Sequence, residues 1–300
     1  MSRRLRFLPC PETLVEITNR TIHGRMLLQP TRHLREITLG VLGRAQRLFG
    51  VEIHAFVFLS NHYHLLITVR DVEQMARFVG YFQSKLAKEV ARKTGWRDKI
   101  WARRYTAIPV SNETAAQVAR LEYLLSQGAK ENLVSDPADW PGAHSVDALL
   151  KGVSLEGSWY DRTAEFQAKT RKQAFGRDDF VESEVVELAP LPCWKALTVE
   201  AHKAEVAKIV ERVIQRARAD PHRLRKILAS QRPTDRPQFS KRSPAPWFHC
   251  SSKAVRVALR NAYELFLFAY RQAAKALREG DLTARFPAGC FPCPRPFVPG

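Results

Sequence analysis

The first half of the chain alternates between two patterns of hydrophobic positions. Runs rich in branched and aromatic residues predict strands, whereas apolar residues three and four positions apart predict amphipathic helices. The predicted strands cover residues 12–18, 51–59, 62–69 and 100–110, and the predicted helices cover 31–49, 71–93 and a segment that opens at 111–113. The order β-α-β-β-α-β-α matches the split βαβ, ferredoxin-like plan, an antiparallel sheet with helices on one face. We therefore expect an α+β fold whose other sheet face is open to a substrate.

The second half has a different pattern. Amphipathic helices are predicted at 198–219 and 252–278, with a shorter one at 221–230. Residues 231–246 are rich in proline, serine and basic residues, which is typical of a linker, and five prolines exclude a helix over the last 15 residues. We predict a sheet-containing domain at residues 10–148 and a mainly helical, basic region with a proline-rich tail at 149–300.

The composition adds a strong positive charge, with 48 Lys and Arg against 30 Asp and Glu and a formal net charge of +18. Such an excess favours a polyanionic partner, because binding to phosphates releases counterions. Nucleic acid is favoured over an anionic membrane surface, since no basic amphipathic anchor stands out. No run of 18 apolar residues is present, and the apolar run at the basic N-terminus is too short for a signal peptide. We expect a cytoplasmic protein with no membrane partner.

The five cysteines do not suggest a disulfide framework, because their number is odd and their spacing is wide. Cys290 and Cys293 form a lone CxxC pair, and no second pair completes a zinc site. A structural or incidental role is therefore favoured for them.

The strand at 62–69 begins with the element His62-Tyr63-His64. Side chains two positions apart on a strand point to the same face, so the two histidines lie roughly 6–7 Å apart and could share one divalent ion. Tyr63 then points to the opposite face, where the helices pack. Two surface histidines on an exposed strand would show the same spacing, which leaves this alternative open.

The residues around this element resemble the HUH signature of single-tyrosine transposases, in which two histidines flank a hydrophobic residue after a turn. The matching segment is Phe-Leu-Ser-Asn-His-Tyr-His-Leu-Leu at 58–66, and further similarity extends over residues 17–20, 49–57 and 101–105. By pattern, the chain is most similar to the REP-associated tyrosine transposases, over roughly residues 12–146. The second half lies outside this resemblance.

The resemblance also implies the remaining site residues. The family carries its nucleophile on the helix after the last core strand, and Tyr123 occupies that place here. Gln127, one turn later, would be the third metal ligand beside His62 and His64. Two imidazoles and one amide oxygen suit Mg²⁺ or Mn²⁺, with waters and phosphate oxygens completing the coordination shell.

Around the tyrosine the chain departs from the family pattern. Gln127-Gly128 stands where relatives usually have Asn-Pro, and Glu122 stands where they have a different residue. Glutamine can still ligate a metal, whereas glycine weakens a helix. Without the resemblance, Tyr123 would be interpreted as a core aromatic of an amphipathic helix.

The activity that the resemblance implies is metal-dependent cleavage and rejoining of single-stranded DNA, often next to a hairpin, through a 5′-phosphotyrosine. His54, on the neighbouring strand, is a candidate base for the tyrosine, although a structural histidine is favoured at that position. The protein would be a monomer or a homodimer. Candidate DNA contacts are Arg20, Arg103, Arg104, Tyr105, Arg223 and Arg225.

Three other functions fit parts of the same pattern. The first is a catalytically inactive or domesticated nucleic-acid-binding protein of the same fold. The second is a metal hydrolase that uses water as its nucleophile at the histidine pair. The third is a ferredoxin-like RNA-binding protein whose sheet aromatics stack on bases.

Overall fold

The computed structural model describes residues 5–219, 231–237, 245–288 and 290–294. The elements of the first half follow the predicted order. They are β1 (Thr13–Arg20), α1 (Arg32–Phe49), β2 (Glu52–Leu59), β3 (His62–Val69), α2 (Val72–Thr94), β4 (Thr106–Pro109) and α3 (Thr114–Leu125).

The four strands form one antiparallel sheet in the order β2-β3-β1-β4. The predicted α+β fold with an antiparallel sheet is confirmed. β1 lies at the centre beside β3, and their register places Arg20 opposite His62 and Thr18 opposite His64. The end of β1 is therefore the direct neighbour of the histidine pair.

The fourth strand is shorter than predicted. Only Thr106–Pro109 forms the strand, whereas residues 100–105 run past the end of β1 as an irregular segment. Backbone hydrogen bonds from Ile22 to Ile100 and from Ala102 to Arg20 hold this segment in place. Trp101 packs its ring against Tyr63 and donates from Nε1 to the Gln83 carbonyl oxygen.

The main core lies between the sheet and helices α1 and α2. Tyr63 is fully buried there and its hydroxyl accepts a hydrogen bond from Gln83 Nε2 at 2.6 Å. Burial raises the pKa of Tyr63 well above its ordinary value. The alternation predicted for β3 is thus present, with Tyr63 in the core and His64 on the other face.

The second face of the sheet is covered as well, so the prediction of an open face is wrong. Sheet residues such as Val57 and Leu66 share a second apolar core with Leu124 of α3 and with residues of α6 (Val199–Ala219). Trp140 closes one side by donating from Nε1 to the Phe58 carbonyl oxygen. The second half of the chain supplies α6, which packs against α3, and α3 itself lies over the histidine face.

The second half combines helices with a two-stranded antiparallel sheet that was not predicted. Its elements are α4 (Val146–Lys151), β5 (Leu155–Tyr160), α5 (Arg162–Thr170), β6 (Val181–Val186), α6 and α7 (Lys253–Arg278). The helices predicted at 198–219 and 252–278 are confirmed. The helix predicted at 221–230 lies outside the described residues, as does part of the predicted linker at 231–246.

The two-stranded sheet of β5 and β6 packs against α1 where Gly157 of β5 meets Gly40 of α1. A Cβ atom on Gly40 would lie 2.2 Å from the carbonyl oxygen of Ser158, and one on Gly157 would lie 2.2 Å from the Gly40 nitrogen. Only glycine allows the two backbones to approach so closely. Leu155 and Trp159 thereby join the same core as α1. The domain boundary at residue 148 stays a prediction.

Candidate active site

The histidine pair lies at the start of β3, on the face that α3 covers. The centroids of the His62 and His64 rings are 5.3 Å apart. His62 Nδ1 donates to Asn61 Oδ1 at 2.7 Å, and His64 Nδ1 donates to Glu16 Oε1 at 2.8 Å. Both Nε2 atoms remain available to a ligand, since neither has a hydrogen-bond partner among the described residues. Burial, followed by the charges of His64 and Arg20, holds the pKa of His62 well below its ordinary value.

Tyr123 reaches this pair from α3. Its ring centroid lies 5.5 Å from that of His64 in an edge-on contact. The Arg120 guanidinium carbon lies 4.1 Å from the Tyr123 centroid, and Lys130 Nζ lies 4.8 Å from it. Burial and the charge of Glu16 raise the pKa of the Tyr123 hydroxyl, while Arg120 opposes them. The structure therefore brings together the tyrosine and histidine that the resemblance pairs.

Gln127 lies just beyond the end of α3, not inside the helix as its spacing suggested. The helix ends at Leu125, and Gly128 follows with a φ of +87°, a left-handed conformation that favours glycine. The Gln127 side chain is buried, and its Nε2 donates to the Tyr123 carbonyl oxygen at 3.0 Å. This hydrogen bond uses the amide nitrogen and leaves Oε1, the atom that a metal would need.

The donor set decides which cations could fit here. Over the described ranges, no group of three or more His, Cys, Asp or Glu side chains is arranged to hold a metal. The candidate donors are two imidazole nitrogens and an amide oxygen, and the buried carboxylate nearby is engaged by other side chains. These residues fit Mg²⁺ or Mn²⁺, which can take the remaining ligands from water and phosphate.

That buried carboxylate is Glu16 of β1, which the sequence analysis missed. It is 4% exposed, and its second oxygen, Oε2, accepts hydrogen bonds from His249 Nε2 at 2.6 Å and Arg120 Nη1 at 3.1 Å. Burial opposes its ionisation, but hydrogen bonds from His249 and His64 outweigh burial and hold the pKa of Glu16 well below its usual range. An acidic residue between Val15 and Ile17 in an apolar strand was the available signal.

His249 comes from the segment before α7, so the second half of the chain contributes to the site. Its backbone nitrogen donates to the Pro109 carbonyl oxygen at 2.9 Å, and its carbonyl oxygen accepts from Ser111 at 2.8 Å. The next residues bind Glu113, which accepts from the backbone nitrogen of Ser252 at 3.0 Å. The segment therefore fastens the edge of the sheet to the start of α3.

Glu122, one of the departures from the family pattern, has a structural role. It accepts hydrogen bonds from Arg212 Nη2 at 2.7 Å and from Arg216 Nη1 at 2.5 Å, both on α6. These ion pairs attach the helix that carries Tyr123 to α6. Arg216, from the basic stretch of the sequence, is thereby engaged within the protein.

The candidate DNA contacts fall into two groups. Arg20, Arg103 and Arg104 are exposed, and the half-buried Tyr105 ring lies 3.8 Å from the Arg6 guanidinium carbon. The other two candidates, Arg223 and Arg225, lie outside the described residues.

His54, the candidate base, is a buried structural histidine. Its Nδ1 lies 3.0 Å from the Ala189 carbonyl oxygen and its Nε2 lies 2.7 Å from Thr68 Oγ1. Burial lowers its pKa. Both ring nitrogens are occupied, which agrees with the structural role that the sequence favoured for this histidine over a catalytic one.

None of the helices in the described part of the chain is long and apolar enough to cross a membrane. The five cysteines, all within that part, are free thiols. Cys290 and Cys293 therefore do not form a disulfide with each other.

Comparisons with known proteins place this site in a family context. Residues 25–127 match the family model of IS200-like transposases. A solved REP-associated tyrosine transposase bound to a REP hairpin is 18% identical, with a TM-score of 0.40 over 51% of this chain and 87% of that one. A candidate transposase from Deinococcus radiodurans is 16% identical, with a TM-score of 0.29 over 40% of this chain and 95% of that one. No curated protein matches the chain.

Both TM-scores lie below 0.5, so these two structures carry no argument and only the family-model match bears on the predicted resemblance. The matched residues include the histidine pair, Tyr123 and Gln127, whereas Glu16 and His249 lie outside them. The resemblance predicted from the sequence is confirmed over residues 25–127, which match the model of the IS200-like transposases.

Proposed function

We propose that this protein cleaves and rejoins single strands of DNA with Tyr123 as the nucleophile. The observation that carries the proposal is the 5.5 Å ring contact between Tyr123 of α3 and His64 of β3. A core aromatic would not need a position beside two imidazoles whose Nε2 atoms remain available. Mg²⁺ or Mn²⁺ would be held by His62, His64 and Gln127, and when bound it would polarise the scissile phosphate as a Lewis acid.

The reaction is a transesterification in which bonds are conserved. The Tyr123 hydroxyl oxygen attacks phosphorus, the bond from phosphorus to the 3′ oxygen breaks, and that oxygen takes up a proton. The products are a 5′-phosphotyrosine and a free 3′-OH. Attack of a 3′-OH on the phosphotyrosine then restores the phosphodiester without ATP, because no bond energy is lost to water.

Arg120 favours loss of the Tyr123 proton during attack, whereas burial and Glu16 oppose that loss. A phenol ordinarily has a pKa of about 10. Burial and Glu16 raise that of Tyr123, so the free tyrosine stays protonated. Arg120 lies against the ring and stabilises the negative charge that develops on the oxygen.

Glu16 would act as a positioning residue in this scheme. By accepting the Nδ1 proton of His64, it fixes the tautomer that presents Nε2 to a metal. By holding Arg120 at 3.1 Å, it also keeps that guanidinium over Tyr123. One buried carboxylate thereby aligns the histidine with the nucleophile.

The substrate would be single-stranded DNA next to a hairpin, which the family resemblance suggests. The net charge of +18 supports a phosphate backbone as partner. Exposed Arg20, directly opposite His62, would meet that backbone at the site. A monomer or a homodimer, in the cytoplasm, remains the expected form.

The proposal is tested by incubating the protein with end-labelled, hairpin-bearing single-stranded DNA and Mn²⁺. We expect a protease-sensitive, slowly migrating band on a denaturing gel, absent in Tyr123→Phe and present in the control Tyr81→Phe. Cleavage without a covalent band would favour a hydrolase that uses water. No cleavage of any such substrate would favour an inactive DNA-binding protein.

A further inference from the structure

A cavity of about 420 Å³ lies away from the histidine pair, between the N-terminal segment, the edge strand β4 and the segment before α7. Its size is within the range of roughly 300–1,000 Å³ that is usual for small-ligand sites. It is lined by aromatic rings and arginines, chiefly Phe7, Tyr105, Trp247, Arg6, Arg103 and Arg104. Trp247 comes from outside the family-matched residues, so the family pattern does not account for this cavity.

The described lining of the cavity carries positive charge, and none of its residues is Asp or Glu. Arg6 forms no ion pair with a carboxylate of the described residues, and burial, together with the charge of Arg104, lowers its pKa to about 10. Its guanidinium lies on the Tyr105 ring instead. A half-buried cation with no counter-ion in the described part of the chain favours an anionic ligand at this place.

The aromatic residues form a rigid wall beside these cations. Phe7 packs edge-on against Tyr263 at 5.6 Å and near Phe248 at 6.1 Å. Trp247 lies perpendicular to Tyr263 at 5.0 Å and remains 42% exposed. Aromatic faces next to arginines are the usual means by which proteins hold unpaired bases and their phosphates.

The cavity-lining segment that carries Arg103 and Arg104 is hydrogen-bonded to the end of β1. Ala102 donates from its backbone nitrogen to the Arg20 carbonyl oxygen at 2.9 Å, and Asn19 Nδ2 donates to the Arg103 carbonyl oxygen at 3.1 Å. Arg20 itself lies opposite His62. A strand that passes the histidine pair would reach the cavity by crossing the end of β1 along exposed Arg20, Arg103 and Arg104.

We propose that this cavity binds one nucleotide of the DNA strand that the active site processes, with its base against the aromatic wall and its phosphate on the arginines. The inference rests on the proposed function, because that function brings a single strand to the rim. The cavity would then fix the position of the strand relative to Tyr123. The combination of cations and ring faces favours single-stranded DNA as the occupant of the cavity.

The first test is binding of a fluorescein-labelled (dT)₁₂ to the full chain, measured by fluorescence anisotropy at several salt concentrations. We expect Trp247→Leu to weaken binding about tenfold, since stacking on one ring is lost. Arg104→Gln, at an exposed position, should reduce the salt slope of log K by about 0.7, as for one lost phosphate contact. Matched controls are Phe166→Leu and Arg32→Gln, both exposed and neither among the residues that line the cavity.

A second measurement covers the case in which Trp247→Leu folds poorly. The same oligonucleotide carrying 5-iodouracil is photocrosslinked to the unaltered protein, and the adducts are mapped by mass spectrometry. Adducts on Tyr105, Trp247 or Phe7 support the proposal. Adducts confined to other regions, or cavity variants that bind like their controls, overturn it.

The outcome separates the cavity from the chemistry. Tyr123→Phe should keep full affinity for (dT)₁₂ while losing the covalent band. If the parent protein cleaves DNA but the cavity variants bind normally, only the cavity proposal fails. If it binds through the cavity but never cleaves, only the proposed function fails.

Discussion

Glu16 Oε1 and His64 Nδ1 lie 2.8 Å apart across the central pair of strands, and both side chains are buried. The carboxylate can only accept, so His64 donates from Nδ1 and its Nε2 carries the lone pair. A buried hydrogen bond of this kind fixes both the ring orientation and the tautomer of a candidate metal ligand. The relationship places a residue outside the family-matched segment in control of the family's histidine.

Replacing Glu16 with glutamine should weaken binding of Mn²⁺ about 10–100-fold, measured by isothermal titration calorimetry. The amide has the same shape but no charge, so it holds His64 and Arg120 less firmly. The matched control is Glu184→Gln on β6. Glu184 is also about 5% exposed and bound by two arginines, Arg44 and Arg47, but it lies in the separate two-stranded sheet of β5 and β6.

If the two glutamine variants lose Mn²⁺ affinity equally, Glu16 affects the metal only through general stability. A change in affinity confined to Glu16→Gln would establish it as a positioning residue. Thermal unfolding of both variants, followed in parallel, separates the two readings, since each loses a buried charge–arginine interaction.

Gln127→Leu should reduce Mn²⁺ affinity and abolish the covalent DNA adduct while leaving the protein folded. Leucine fills a similar volume at this buried position but offers no oxygen to a metal. Gln127→Asn, which restores the residue usual in relatives, should keep measurable adduct formation. Mn²⁺ binding by Gln127→Leu that equals that of the unaltered protein would remove Gln127 from the ligand set.

The parts of the site that could be predicted were those with a local pattern. His62 and His64 stand two positions apart on a strand whose alternation is clear, and the structure places them on one face. Tyr123 was identified through the resemblance, because amphipathic spacing alone describes it as a core residue. The position of each within the fold then followed from the order of strands and helices.

The parts that could not be predicted depend on contacts between distant segments. Glu16 and His249 meet in space although they are widely separated in sequence, and no local period signals such a pair. Strand β5 alternates buried and exposed residues, but its glycine and short length weakened the strand pattern. The cover of the second sheet face combines α3 with the distant α6, and these helices pack together through apolar residues and through Glu122 with two arginines.

Gly40→Ala should destabilise the protein by about 1–3 kcal/mol, measured by urea unfolding. The added Cβ would lie 2.2 Å from the backbone oxygen of Ser158, and a backbone cannot yield as a flexible side chain can. Gly80→Ala on α2 is the control, because a Cβ there meets nothing within 4 Å and alanine favours the helix by about 1 kcal/mol. If Gly40→Ala is as stable as Gly80→Ala, the backbone of β5 does not pack against Gly40 of α1.

His144→Asn should make the protein less sensitive to acid. His144 is buried, and its Nδ1 accepts from the Val146 backbone nitrogen at 2.9 Å while its Nε2 has no partner among the described residues. Burial lowers its pKa to about 3, against which the charge of Asp147 acts only weakly. The ordinary value is about 6.5, so between these two pH values the unfolded chain binds a proton that the folded chain refuses.

This sign means that the His144 contribution to stability is complete above about pH 6.5 and is lost as the pH falls towards 3. The unaltered protein should therefore lose up to about 1.4 kcal/mol of unfolding free energy per pH unit more than His144→Asn over that window. Urea unfolding from about pH 7 down to about pH 4 measures the difference. His33→Asn, at an exposed position on α1, is the control and should follow the unaltered protein. Parallel curves for the unaltered protein and His144→Asn would show that His144 is not held neutral in the fold, because asparagine can accept the same backbone hydrogen bond but cannot titrate.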